Sequence, residues 1–106
     1  MDATFAALAD PVRRSILTRL SRSGEVRVTD LAKPYPISLN SVSKHIQQLE
    51  RARLVERRRV GREYRIRFRP EPLTAAQAWI AEQRSFWAGA LAGLDEAIAK
   101  SRGGGA

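Results

Sequence analysis

The sequence predicts a mostly helical α+β domain of about five helices and one β-hairpin. Through most of the chain, apolar residues recur every three or four positions, which is typical of helices that pack on a core. The exception is the segment 54–69, where two strand-forming runs flank a glycine. The length of 106 residues and the hydrophobic fraction of 43% suit one domain with a single modest core.

Capping residues mark the first two helices. Asp2 is placed to cap a short first helix. Asp10 followed directly by Pro11 is a typical helix start, because Asp accepts a backbone hydrogen bond and proline needs no backbone donor in the first turn. Gly24 marks the end of the second helix.

A short strand and a third helix are predicted next. Residues 25–28 alternate between polar and apolar side chains, which favours a strand. Thr29 is the predicted N-cap of a helix over residues 30–33, and Pro34 terminates that helix because proline lacks the backbone N–H.

Ser38 predicts the start of a fourth helix with one apolar and one polar face. Its apolar residues, Val42, Ile46 and Leu49, are spaced by four and three positions. The opposite face carries the polar side chains Asn40, Ser41, Lys44, Gln47, Gln48 and Arg51.

The two strand-forming runs predict a β-hairpin that turns at Gly61. In the second run Tyr64, Ile66 and Phe68 lie on one side and arginines on the other, so one face is expected on the core and one in water or on a ligand. Two helices joined by a short turn and followed by a basic hairpin are typical of a winged helix-turn-helix.

A long last helix is predicted over about residues 75–100, with Thr74 and Gln77 as its capping box. Its apolar stripe is wide and contains Trp79, Ile80, Phe86, Trp87, Leu91, Leu94 and Ile98. At about 39 Å, the helix is too long for a domain with a radius of gyration of about 13 Å to cover, which predicts a partner chain. The domain is expected to span residues 1–100, followed by a disordered tail over 101–106.

The charge distribution indicates the partner. The net charge is +8, and residues 38–69 alone hold ten basic and three acidic groups. Nine of those basic groups are arginines within residues 51–69. A solvated surface or a protected edge strand explains one or two of them, whereas nine favour a polyanion such as nucleic acid.

Several function classes are not expected. No cysteine and one histidine exclude disulfides, thiolate metal sites and a multi-histidine zinc site within one chain. The sequence contains no N-terminal signal and no apolar run of the ~20 residues that span a bilayer, which predicts a cytoplasmic protein without membrane contact. The acidic residues are scattered, and the sequence has no glycine-rich phosphate loop and no nucleophile–base pair. We therefore expect neither an enzymatic activity nor a cofactor.

The fourth helix is the predicted DNA-reading element, because a helix fits the major groove and its N-terminal residues reach base edges. Asn40 and Gln47 are the predicted specificity determinants, since Asn and Gln pair bidentately with adenine. Ser41, Ser43 and Lys44 are predicted to contact bases or phosphates.

The tip of the hairpin is the second predicted contact. Arg58, Arg59 and Arg62 surround it, where a wing reaches phosphates or the minor groove. Several such contacts predict strongly salt-dependent binding.

Three blocks resemble the ArsR/SmtB family of regulators: LADPVRRSIL at 8–17, SVSKHI followed by LE at 41–50, and LV, RRR, GR and Y within 54–64. The resemblance covers roughly residues 5–69 and is greatest to members with a tryptophan-rich last helix. It implies a homodimer that represses a promoter until an inducer releases it, with the first and last helices at the interface. The predicted interface residues are Phe5, Trp79, Phe86, Trp87, Leu91 and Leu94.

Within the second block, His45 resembles a phosphate or backbone contact. A packing role at the edge of the core is an equally open interpretation.

One departure from the family concerns metal sensing. Arg27 and Thr29 stand where metal-sensing members carry the two cysteines of a Glu-Leu-Cys-Val-Cys-Asp-Leu block, and a guanidinium cannot ligate a cation. The other family metal site uses histidine on the last helix, and none is present there. No metal site is therefore expected. Three possibilities for the inducer stay open: a small apolar ligand, an antagonist protein, or no inducer at all.

The leading hypothesis is a sequence-specific repressor that binds double-stranded DNA as a homodimer on a palindromic operator. Its half-sites would lie about 10 bp apart or a multiple of that distance. The alternative is a winged-helix module that binds protein or RNA without sequence-specific DNA recognition.

Overall fold

Within residues 1–104, which the computed structural model describes, five helices and three strands form the predicted mostly helical α+β fold. Their order is α1 (Asp2–Leu8), α2 (Pro11–Ser23), β1 (Glu25–Arg27), α3 (Val28–Ala32), α4 (Leu39–Arg51), β2 (Val55–Val60), β3 (Glu63–Phe68) and α5 (Glu71–Gly104). Helices α3 and α4 with the β2–β3 hairpin make up the winged helix-turn-helix, so the predicted architecture is confirmed.

Local capping chemistry sets the ends of α2 and α4 as predicted. The Asp10 carboxylate accepts a hydrogen bond from the Arg13 backbone N–H at 3.0 Å, and Ser38 Oγ accepts one from Ser41 N–H at 3.0 Å. Gly24 follows α2 with φ of +79°, a conformation that glycine adopts without a Cβ clash.

Three predicted helix starts are wrong. Helix α1 has Met1 at its N-cap and includes Asp2 in its first turn, so Asp2 is not the capping residue. Helix α3 begins at Val28, so Thr29 lies in its first turn and is not the N-cap. Helix α5 begins at Glu71 and includes Pro72, because the first turn of a helix needs no backbone N–H from proline. Thr74 therefore lies inside the helix, where its hydroxyl donates to the Pro70 carbonyl at 3.4 Å instead of forming a capping box.

The last helix also continues past its predicted end. Helix α5 includes residues 101–104, whereas the sequence predicted a disordered tail from residue 101. The prediction placed the tail there because the last few residues of a domain are commonly poorly ordered. Residues 105–106 of that predicted tail lie outside the described residues.

The sheet has the strand order β1-β3-β2, and both pairs are antiparallel. Val26 and Arg57 both pair with Ile66, which is fully buried. Tyr64 shares the face of Ile66 but is 45% exposed, because it lies at the wing tip beyond the core. The predicted alternation is therefore correct in direction, while burial reaches only Ile66 and, in part, Phe68.

The core is formed by α3, α4 and the β2–β3 hairpin together with α2. Its fully buried side chains are Ile16, Leu20, Leu31, Val42, Ile46, Leu49, Leu54 and Ile66. Each such side chain stabilises the fold by about 1.5–3 kcal/mol through removal from water. Because Val42, Ile46 and Leu49 all point into this core, the orientation of α4 about its own axis is determined.

The chain divides into two compact units, residues 1–76 and the remainder of α5 from residue 77. The second unit is a single helix with a row of exposed large apolar side chains, Trp79, Ile80, Phe86, Trp87, Leu91, Leu94 and Ile98, between 41 and 68% exposed. No helix in the described part of the chain combines the length and apolar character needed to cross a bilayer.

Candidate nucleic-acid interface

Helix α4 presents a polar surface opposite its buried face. Asn40, Lys44 and Gln47 are exposed, and none of them makes a hydrogen bond or ion pair within the described residues. Ser43 is half-buried. The predicted base-reading side chains are therefore available to a ligand, because the fold does not use them.

Ser41 has a structural function in addition to its predicted one. Its backbone N–H donates to Ser38 Oγ, and its own Oγ accepts a hydrogen bond from the Ser38 hydroxyl at 2.9 Å. The Ser41 hydroxyl proton is still free to donate, because the hydroxyl acts only as an acceptor in the cap.

His45 lies against the junction of α1 and α2. Its Nδ1 is 3.2 Å from Arg13 Nη1 and 3.7 Å from an Asp10 carboxylate oxygen. The same guanidinium donates to the Ala7 and Ala6 carbonyls at 2.8 and 3.1 Å. The histidine side chain is 22% exposed, so it both packs at the edge of the core and reaches the surface.

The three predicted wing arginines differ in what they contact. Arg58 donates two hydrogen bonds, each of 2.9 Å, to the two carboxylate oxygens of Glu25. These hydrogen bonds lower the pKa of Glu25 below its ordinary value of 4.5. Arg59 donates to the Gly61 carbonyl at 3.1 Å and lies over the Tyr64 ring at 5.8 Å.

Arg62 stands apart from these pairs. It is exposed at the turn of the hairpin and has no hydrogen bond or ion pair within the part of the chain that is described. Its guanidinium charge is therefore fully available to an anion.

The nine arginines of residues 51–69 fall into two groups. Those with a carboxylate partner are Arg57, Arg58, Arg65 and Arg69. Within the described residues, those without one are Arg51, Arg53, Arg59, Arg62 and Arg67. The excess of charge that the sequence predicts for this segment is thus real, but four of its nine arginines are paired with carboxylates of the domain itself.

Arg27 is a structural residue that sequence reasoning treated only as a missing thiolate. Its guanidinium pairs with Asp30 at 2.8 Å and with Glu63 at 2.9 Å, and so joins β1, α3 and β3. Hydrogen bonds from Arg27 and Lys33 lower the pKa of Asp30 to about 2. The Asp30 pair is three residues apart and readable as a local i,i+3 contact, whereas the Glu63 pair depends on strand register.

The described residues were also compared with the requirements of a metal site. Among the described residues no three His, Asp or Glu side chains lie close enough together to hold an ion.

Comparison with known proteins identifies the family of this chain. Residues 8–58 match a family described as a helix-turn-helix domain. The chain is 36% identical over 97 residues to the HTH-type transcriptional regulator Rv2034 of Mycobacterium tuberculosis, covering 92% of this chain and 87% of the relative. It is also 36% identical over 61 residues to the transcriptional repressor SdpR of Bacillus subtilis, covering 58% and 67% of the two chains.

Solved structures give the same result. An ArsR family transcriptional regulator is 43% identical, with a TM-score of 0.76 over 81% of this chain and 88% of the other. An ArsR-like transcriptional regulator from Rhodococcus sp. RHA1 is 34% identical, with a TM-score of 0.84 over 94% and 90%. The chain belongs to the ArsR family of transcriptional regulators.

A further ArsR-type structure describes an assembly. The homodimeric winged helix-turn-helix DNA-binding domain of a possible ArsR-family regulator from Mycobacterium bovis is 28% identical. Its TM-score is 0.63, over 79% of this chain and 77% of the other.

The ArsR-family match gives the described surface its context. The family is one of transcriptional regulators with a winged helix-turn-helix DNA-binding domain. The match over residues 8–58 includes all of α4, whereas Arg59 and Arg62 of the wing lie beyond it. Of the predicted interface residues, Phe5 lies on α1 and is 36% exposed, and the others lie on α5.

Proposed function

We propose that this ArsR-family chain is a sequence-specific transcriptional repressor that binds a palindromic operator in double-stranded DNA as a homodimer. The observation that carries the proposal is the group of exposed polar and cationic side chains on α4 and the wing that the fold leaves without partners: Asn40, Lys44, Gln47 and Arg62. Exposed polar groups alone only keep a surface hydrated, but in a chain with a net charge of +8 their combination with unpaired cations suits an anionic, hydrogen-bonding ligand.

Each group of side chains has its own task in this proposal. Asn40 and Gln47 read bases in the major groove through their amide groups, while Lys44 contacts a phosphate. Ser43 and the free hydroxyl proton of Ser41 add contacts near the N-terminus of α4. The recognition helix thereby supplies specificity, and the cations supply most of the affinity.

The geometry of the wing favours Arg59 and Arg62 as its phosphate contacts. Arg58, which the sequence predicted as a third contact, would have to exchange the two Glu25 hydrogen bonds for a phosphate. Its role in this proposal is to link β2 to β1 across β3 and so to set the direction of the wing.

The exposed apolar row of α5 supports the homodimer. Phe86 and Trp87 are 68 and 61% exposed and contact each other edge to face, with ring centroids 6.3 Å apart. Leu91 and Leu94 continue the row at helical spacing and are more than half exposed. A second copy of the same helix would cover this row, as in the homodimeric Mycobacterium bovis relative, and a two-fold dimer matches a palindromic site.

Repression, as opposed to activation, rests on the relatives. SdpR, one of the similar proteins, is a transcriptional repressor. A dimer bound over a promoter blocks polymerase without needing any surface of its own for polymerase contact.

Fluorescence anisotropy tests the proposal directly. A duplex from the region upstream of the chain's own gene is titrated beside a shuffled duplex, each at two salt concentrations. The repressor interpretation requires the native duplex to bind at least about 10³-fold more tightly. Equal binding to both duplexes contradicts sequence specificity, and binding to neither leaves the winged-helix module with a protein or RNA partner.

A further inference from the structure

The side chain of Arg13 connects the helices α1, α2 and α4. The Arg13 guanidinium in α2 donates to two carbonyls in the last turn of α1, Ala6 and Ala7, and lies 3.2 Å from His45 Nδ1 in α4. Its charge also suits the negative end of the α1 dipole. Arg13 is therefore the only described side chain that hydrogen-bonds α1 to the recognition helix.

The chemistry of this contact decides where the histidine proton lies. A guanidinium has five N–H donors and no acceptor, so a hydrogen bond between Arg13 Nη1 and His45 Nδ1 requires a lone pair on Nδ1. The competing arrangement, a proton on Nδ1 facing Asp10, has a heavy-atom distance of 3.7 Å, beyond hydrogen-bond range. In the neutral ring this contact therefore places the proton on Nε2.

The consequence concerns the DNA surface. With Nδ1 engaged by Arg13, Nε2 is the only polar atom of the ring left to bind a ligand, and it is a donor. The ring is 22% exposed and lies one helical turn after Ser41, on the helix that carries the base-reading residues.

We propose that Arg13 is a positioning residue that holds His45 as the Nε2–H tautomer and so presents a neutral hydrogen-bond donor to a DNA phosphate. This inference rests on the proposed DNA binding. It assigns Arg13 no contact of its own with the nucleic acid, because at least three of its five N–H groups are directed at Ala6, Ala7 and His45.

The tautomer is measured on the free protein by two-bond ¹H–¹⁵N correlation spectroscopy at alkaline pH. His45 is the only histidine in the chain, so its spectrum is unambiguous. Wild type is expected to show a protonated Nε2 and an unprotonated Nδ1, and Arg13→Ala is expected to raise the share of the Nδ1–H tautomer, because Nδ1 no longer has to accept from the guanidinium. A wild-type ring protonated on Nδ1, or a pattern unchanged in Arg13→Ala, overturns the proposal.

Arg14→Ala is the matched control. Arg14 neighbours Arg13 and donates to the Leu8 carbonyl at 2.7 Å, but it does not contact His45. The substitution therefore removes the same charge and one contact with α1 while the histidine spectrum stays as in wild type. Should Arg13→Ala fail to fold, the wild-type spectrum alone still decides the tautomer.

Operator affinity then separates positioning from direct contact. Arg13→Ala and His45→Ala are each expected to weaken binding about tenfold, the effect of one hydrogen bond to a charged group. The double variant is expected to be no weaker than either single variant, because Arg13 acts through His45.

The salt dependence provides a second discrimination. A neutral donor releases no counterion, so neither substitution should change the slope of log Kobs against log salt, whereas a direct Arg13–phosphate contact would reduce it by about 0.9. Additive losses or a reduced slope for Arg13→Ala overturn the positioning role. Absence of any specific duplex binding would refute the proposed function and, with it, the phosphate contact, while the spectrum still judges the Arg13–His45 hydrogen bond.

Discussion

Replacing Arg58 or Arg62 at the wing is expected to change the salt dependence of DNA binding to different extents. Their equal charges alone would predict equal effects. Both lie in the same hairpin and carry the same charge. Arg62 has no partner in the described part of the chain, while Arg58 is neutralised by two hydrogen bonds of 2.9 Å to Glu25. Replacing each by alanine therefore removes a free cation in one case and half of an ion pair in the other.

The magnitude follows from counterion release. Each neutralised phosphate contributes about 0.9 to the slope of log Kobs against log salt, so Arg62→Ala is expected to flatten the slope by about 0.9. Over a fourfold rise in salt, its affinity deficit relative to wild type should shrink by about 3.5-fold. Arg58→Ala is expected to leave the slope unchanged, because an arginine that stays paired with Glu25 neutralises no phosphate.

Anisotropy titrations of the operator duplex at about 50 and 200 mM salt measure both slopes. Arg84→Ala in α5 serves as the control, because it lowers the net charge equally on a helix that carries none of the proposed DNA contacts. Equal slope changes for Arg58→Ala and Arg62→Ala would refute the reasoning, since they would mean that Arg58 exchanges Glu25 for a phosphate.

Three further predictions concern the dimer, the backbone and pH. Trp87→Ala should weaken the dimer at least about tenfold by removing buried aromatic surface, which sedimentation equilibrium measures; an unchanged dimer constant would move the interface elsewhere. Arg53 follows α4 with φ of +58°, so Arg53→Gly should stabilise the fold by about 0.5–1 kcal/mol in urea unfolding, while Arg53→Ala, which keeps the Cβ, should not. Because the pKa of Asp30 is lowered from 3.8 to about 2, its ion pairs stabilise the fold above pH 3.8, and this stability is lost as pH falls towards 2. Urea unfolding between about pH 5 and 2 should show a smaller loss for Asp30→Asn than for wild type, and equal losses would contradict the assignment.

Features that depend on neighbouring residues were predictable from the sequence. The Asp10–Pro11 start, the Ser38 cap and the buried stripe of α4 all follow from contacts within four residues, and the structure confirms each of them. The winged architecture followed from the order of these local elements. Local reasoning failed at Thr74 because Pro72 is tolerated in the first turn of a helix, and the sequence alone does not show which residue begins that turn.

The partners of the charged residues were decided only by the tertiary structure. Glu25 and Arg58 are 33 positions apart, and Arg13 and His45 are 32 apart. No period of three, four or two residues connects such positions, because strand register and helix packing bring them together. The sequence alone therefore determined that this chain is a basic winged helix-turn-helix, while packing decided which of its cations have a carboxylate partner in the fold and which do not.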